Sequence, residues 1–159
     1  MPSPGQWRLL GLAVLAFAVT GTMVVTIGGD IGGQQTLVVE DYEEGTELLS
    51  VSVEENTTVV LAYTHSVEKT PVRDIYEVRD GELYVSHMTF RSFGAGLPST
   101  ADIERDERGR FVHDPPDRPT GDVVVAPSAI AGHELVVDGE RYDLVGLADG
   151  GSVRIRVTT

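Results

Sequence analysis

Val72-Arg73-Asp74-Ile75-Tyr76-Glu77-Val78-Arg79-Asp80-Gly81-Glu82-Leu83-Tyr84-Val85-Ser86-His87-Met88-Thr89-Phe90 reads as two β-prone runs meeting at Asp80-Gly81. Asp-Gly is a strong hairpin signal because the favoured two-residue turn needs positive φ at both central positions. A loop of that length puts Arg79 opposite Glu82, Val78 opposite Leu83, Tyr76 opposite Val85 and Asp74 opposite His87. The first pair is a charge match and the next two are apolar, so the register suits the side chains. One hairpin face is then apolar near the turn and polar at the far end, where Asp74 meets His87.

The preceding run, Thr57–His65, reaches Val72 through the short link Ser66–Pro71. So short a link makes the two runs antiparallel neighbours, and Pro71 suits a strand's first position, where a missing N–H costs little. Ser66–Pro71 and the residues after Phe90 are therefore expected at one end of the sheet, away from Asp80-Gly81. His65, Ser66, Glu68, Lys69, Thr70, Arg91 and Ser92 would share that rim with Gly94 and Gly96.

The remaining chain repeats the pattern. Thr36–Glu40, Glu47–Val53, Asp122–Ala126 and Glu134–Val137 are short β-prone runs, and Glu140–Leu147 follows a second Asp-Gly at Asp138-Gly139. Ser152–Thr158 alternates Val153, Ile155 and Val157 with Arg154 and Arg156, the two faces of a strand. The charged, proline-rich region Ser99–Gly121 reads as a surface excursion with one brief strand at Arg110–His113. No stretch of this region shows a helical period. The expectation is an all-β domain, an antiparallel sandwich or partly open barrel of about eight or nine short strands.

An N-terminal transmembrane helix is expected to precede it. Leu9–Ile27 is uncharged for about 19 residues, enough to cross a hydrocarbon core of ~30 Å. Arg8 precedes this stretch and no basic residue follows until Lys69, so the C-terminal part is expected outside the cytoplasm. A cleaved signal peptide is the competing reading, but Val24-Val25-Thr26-Ile27-Gly28-Gly29 lacks an Ala-x-Ala-like site. The organisation expected is a membrane anchor and linker over residues 1–33 and an exported β domain over 34–159, a single-pass protein of the cell membrane.

Composition narrows the chemistry. The chain has 159 residues, no cysteine, and a net charge of −13 from 25 acidic and 12 basic residues. Thiolate chemistry and disulfides are excluded. Nucleic acid is not an expected partner, because phosphate binding needs clustered Lys and Arg. Every basic residue except Lys69 is Arg. An acidic, lysine-poor surface resembles the proteins of salt-accumulating halophiles, an acidic partner-binding face being the other reading.

The rim set suits a carboxylate or phosphate, since glycine backbone N–H groups approach anions closely and Lys or Arg complements them. The plainer reading is that these glycines only form turns. His65 and Ser66 are adjacent on a strand and point to opposite faces, so they do not make a base and nucleophile. Asp74 with His87 is either an imidazole-orienting pair or a structural one. His65, His87, His113 and His133 have no metal-ligand spacing, and neither a metal nor a cofactor is expected.

Tyr63-Thr64-His65-Ser66-Val67-Glu68-Lys69-Thr70-Pro71-Val72 and Ser92-Phe93-Gly94-Ala95-Gly96-Leu97-Pro98, with Tyr142-Asp143-Leu144 more loosely, resemble the domain of unknown function family 1850. Members are small proteins, often with an N-terminal membrane segment, commonly encoded beside TAXI-type TRAP transporters. The resemblance implies a transport-associated role and carries over no catalytic residues. Three functions are therefore expected in turn. The first is a membrane-anchored accessory protein whose rim binds a TRAP transporter membrane subunit, its solute-binding protein or an anionic solute. The second is an extracytoplasmic hydrolase using Asp74, His87 and Lys69. The third is an envelope interaction module with no small-molecule ligand.

Overall fold

The computed structural model describes residues 35–92 and 103–159. The expected transmembrane helix, Gly94 and Gly96 lie outside the described residues. Among the described residues, no helix is long and apolar enough to cross a membrane.

Among the described residues, eleven strands form two antiparallel sheets. The smaller sheet holds β1 (Gln35–Asp41), β2 (Glu47–Val53), β8 (Val123–Val125) and β11 (Val153–Thr158), in the order β2-β1-β11-β8. The larger holds β3 (Thr58–Thr64), β4 (Pro71–Arg79), β5 (Glu82–Phe90), β6 (Ile103–Arg105), β7 (Phe111–His113), β9 (Glu134–Val137) and β10 (Glu140–Asp143). Its order is β10-β9-β3-β4-β5-β7-β6, and neither sheet closes into a barrel.

Alternation builds the core. Leu37, Val39, Val153 and Ile155 point from the small sheet, and Val59, Leu61, Val78, Leu83, Leu135 and Val137 point from the large one, into a single apolar cluster. Each fully buried aliphatic side chain contributes about 1.5–3 kcal/mol by leaving water. The opposite face of the small sheet is polar. There Glu40 sits beneath Arg154 (2.9 Å) and Arg156 (3.1 Å), and only 8% of its side chain is exposed because the two guanidiniums lie over it. Arg156 first, then Arg154, holds the Glu40 carboxyl below its ordinary pKa against the opposing effect of burial.

Both Asp-Gly turns form as read. Asp80 and Gly81 have φ of 52° and 77°, and Asp138 and Gly139 have φ of 50° and 90°. Three expectations are corrected. Glu140–Leu147 is not all strand: Asp143 accepts a hydrogen bond from the Val145 N–H and caps α1 (Leu144–Ala148). A one-turn helix is too short for its period to show in sequence, but its cap was present. Ile103–Arg105, read as a charged excursion, pairs with β7 as a short hairpin.

The third correction concerns the central hairpin. Arg79↔Glu82, Val78↔Leu83 and Tyr76↔Val85 form as expected, but the register then shifts between Ile75 and Tyr76. Asp74 faces Met88 instead of His87, and His87 faces Ile75. The extra residue is Ser86, and a bulge of this kind reverses the inward and outward alternation beyond it. The physical reason is apolar burial. Leu83 and Val85 are in phase with each other, Met88 and Phe90 are in the opposite phase, and only a bulge sends all four to one face. Phe90, fully buried, stacks on Phe111 with ring centroids 5.5 Å apart.

Candidate functional site

Two places on the large sheet carry polar groups suited to recognition. The first is the rim after β3. The His65 N–H donates to the Thr70 carbonyl (2.8 Å), and the Lys69 N–H donates to the His65 carbonyl (2.9 Å). The Glu68 N–H donates to His65 Nδ1 at 3.1 Å, so that nitrogen is the unprotonated one. His65 is buried and organises the turn, while Ser66, Val67, Glu68 and Lys69 are exposed on it. Lys69 adopts a left-handed conformation, φ 53°. Val67 is 72% exposed on this tightly bonded loop.

The structure brings this loop to the end of β5. The Thr70 and Ser92 hydroxyls hydrogen-bond at 2.8 Å across 22 positions of chain, and Arg91 is exposed beside them. Of the residues expected at the rim, His65, Ser66, Glu68, Lys69, Thr70, Arg91 and Ser92 therefore lie at one end of the sheet. Asp74 and His87 do not belong to it. His87 is on the outer face of the large sheet, with its Nδ1 3.1 Å from the Ser86 hydroxyl. The pair of Asp74 with His87 does not form.

The second place surrounds Asp74. Cross-strand partners share a face, so the register Leu61↔Asp74↔Met88↔His113↔Ile103 is one row on the core side of the sheet. A cleft of about 240 Å³ is lined by Asp74, Tyr76, Val85, Met88, His113 and Pro115. Its outer wall comes from the proline-rich segment. β7 pairs with Met88–Phe90, the chain then leaves the ladder, and pairing with β5 resumes where Pro119 bridges Tyr84 and the Thr120 N–H donates to the Leu83 carbonyl. Prolines lack the N–H that would close the gap, and the gap lies beside the Ser86 bulge.

Burial sets the electrostatics of this cleft. It pushes the Asp74 carboxyl up to about 6, although the Tyr63 phenol, acting as a hydrogen-bond donor, pulls it down. Burial, and then the charge of Asp74, pushes Tyr63 up to about 12, and Tyr76 is raised for the same reasons. Tyr63 also stacks on His133 at 5.2 Å, and burial lowers the pKa of that imidazole. Among the described residues, Asp74 Oδ1 and His113 Nδ1 are buried with no hydrogen-bond partner. Sequence reasoning missed His113, which it met only as one of four scattered histidines. The reversal of apolar phase between Val85 and Met88 was the signal that could have placed it.

Two antiparallel sheets over one apolar core, with a bonded loop tip at one end and a carboxylate in the inner row, define an all-β, sandwich-like domain with its polar groups on the larger sheet. The model of the family Domain of unknown function (DUF1850) matches residues 59–144. That is more than half of the chain, which belongs to this family. The match runs from β3 through β10 to the first residue of α1, so it holds the whole larger sheet apart from Thr58, while β1, β2 and β11 lie outside it. No curated protein and no solved structure matches the chain.

Proposed function

We propose that the protein is a membrane-anchored, extracytoplasmic accessory protein of a TAXI-type TRAP solute transporter, docking a transporter subunit through the rim at His65–Thr70. The observation that carries this reading is the exposed Val67, held between Ser66 and Glu68-Lys69 on a turn that His65 and Thr70 fix by hydrogen bonds. An apolar side chain ringed by polar groups on a preorganised loop has already lost the conformational freedom that binding would otherwise remove. The uncharged stretch Leu9–Ile27 would hold the domain at the membrane, where a transporter subunit is accessible.

Pull-down of the full chain from native membranes tests the reading. Wild type is expected to retain a transporter membrane subunit or its solute-binding protein. Val67→Asp is expected to lose it by roughly tenfold while the domain stays folded, since exposed loop residues change stability little. Equal recovery with wild type and Val67→Asp would remove the rim from the mechanism, and absence of any transporter component would remove the transport role.

A further inference from the structure

The cleft at Asp74 is separate from the rim and needs its own account. It combines an apolar wall, formed by Tyr76, Val85, Met88 and Pro115, with the polar side chains of Asp74 and His113, whose Oδ1 and Nδ1 are buried without a hydrogen-bond partner. A buried polar atom without a partner is costly, and proteins keep few of them. An ionised carboxylate only accepts hydrogen bonds, and a neutral imidazole nitrogen without its proton also accepts. The complementary group is therefore a donor carrying at least two N–H bonds. A positive charge on it is favoured by the carboxylate in a medium of low dielectric, and by a chain of net charge −13. An anion is disfavoured on both counts. A metal ion is a poor fit, because among the described residues no third His, Cys, Asp or Glu joins Asp74 and His113. The cleft volume of about 240 Å³ equals that of about eight waters at ~30 Å³ each, so the occupant is small.

We propose that this cleft is a binding site for a small organic ammonium ion with an apolar body, its N–H groups donating to Asp74 Oδ1 and His113 Nδ1 and its carbon chain lying against Tyr76, Val85 and Met88. The site does not depend on the docking reading above, since none of its residues belongs to the rim. The ionisable groups facing Asp74 are Tyr63 from β3, Tyr76 from its own strand and His113 from β7, whereas β5 presents only Val85 and Met88. Of these, Asp74 with its pKa near 6 decides whether a cation is welcome at neutral pH.

Methionine methyl NMR reads the site directly. The chain has three methionines, Met1, Met23 and Met88, and among the described residues Met88 lines the cleft. The full chain, labelled at methionine methyls and held in detergent, is titrated with n-butylammonium, butyrate and 1-butanol, and the Met88 signal is assigned with Met88→Leu. The expected result is a saturable shift of the Met88 methyl with butylammonium at pH 7 and none with butyrate. Affinity should fall about tenfold between pH 7 and pH 5 as Asp74 protonates, and at least tenfold in Asp74→Asn. His113→Gln should keep that pH profile, which assigns it to Asp74 and not to the imidazole. No saturable shift of Met88, an equal response to butylammonium and 1-butanol, or a shift with butyrate would each overturn the proposal. The three-probe comparison on wild type decides the matter even if Asp74→Asn does not fold.

Discussion

Asp74 lies opposite Met88 across the β4–β5 ladder, one residue out of step with the pairing set by the Asp80-Gly81 turn. Ser86 absorbs the difference, and the apolar residues beyond it, Met88 and Phe90, face inward as a result. Deleting Ser86 would make the ladder regular and keep the pairs Ile75↔His87, Asp74↔Met88 and Val72↔Phe90, so His87 stays outward and Met88 and Phe90 stay inward. Truncating the fully buried Phe90, by contrast, costs about 3–5 kcal/mol. Urea unfolding of Phe90→Ala should show a loss of at least about 3 kcal/mol, whereas the Ser86 deletion should lose far less and Ser86→Ala, which keeps the bulge, should stay within about 0.5 kcal/mol.

The Asp74 carboxyl makes stability depend on pH in an unusual direction. Its pKa rises from 3.8 to about 6 on folding, so the folded state binds the proton more tightly. Stability from this group is complete below its unfolded pKa and is lost as pH rises from about 4 to about 6. The difference amounts to roughly 3 kcal/mol at neutral pH. Asp74→Asn cannot titrate, so it should match wild type near pH 4 and exceed it in urea midpoint at pH 8. A wild-type minus variant difference that is flat with pH would contradict this.

Glu40 acts with the opposite sign. Arg156 and Arg154 depress its pKa, so its contribution is present above its ordinary value of 4.5 and is lost as pH falls through the depressed folded value. Glu40→Gln leaves both arginines over an uncharged partner and should lower the thermal midpoint at pH 7, with the gap to wild type closing in acid. Glu134→Gln, which breaks the exposed pair with Arg141, should change stability by no more than about 0.5 kcal/mol. Calorimetry at pH 7 and pH 3 separates the two.

At the rim, His65 and Lys69 should differ sharply although four residues part them. His65 is buried and accepts the Glu68 N–H, so His65→Ala should cost roughly 1–2 kcal/mol. Lys69 is exposed with φ 53°, a conformation glycine adopts without strain, so Lys69→Gly should leave stability unchanged or raise it by up to about 1 kcal/mol. Lys69→Gly is therefore the cleaner probe of rim function. Any loss of transporter recovery in a His65 variant must be compared with its loss of stability before it is read as lost contact.

Much of the fold was legible before any coordinates. Both Asp-Gly turns, the bounds of β2, β5 and β9, and the return of the chain to one end after Phe90 follow from local rules: turn chemistry, period-two alternation and the length of the Ser66–Pro71 link. The meeting of Thr70 with Ser92 follows from the same rules, because an antiparallel hairpin puts its two free ends together. The Ile103–Arg105 strand was not legible. Three charged or half-buried residues on a sheet edge carry no alternation to read, and only β7 beside them makes them a strand.

By itself, then, the amino-acid order determined an all-β domain, its turns and which loops share an end, since each depends on residues close together in the chain. The face on which Asp74, Met88 and His113 meet was decided only in three dimensions. A one-residue bulge reverses every side chain beyond it, and whether a bulge forms is set by the burial of Phe90 against Phe111, a contact between residues far apart in sequence.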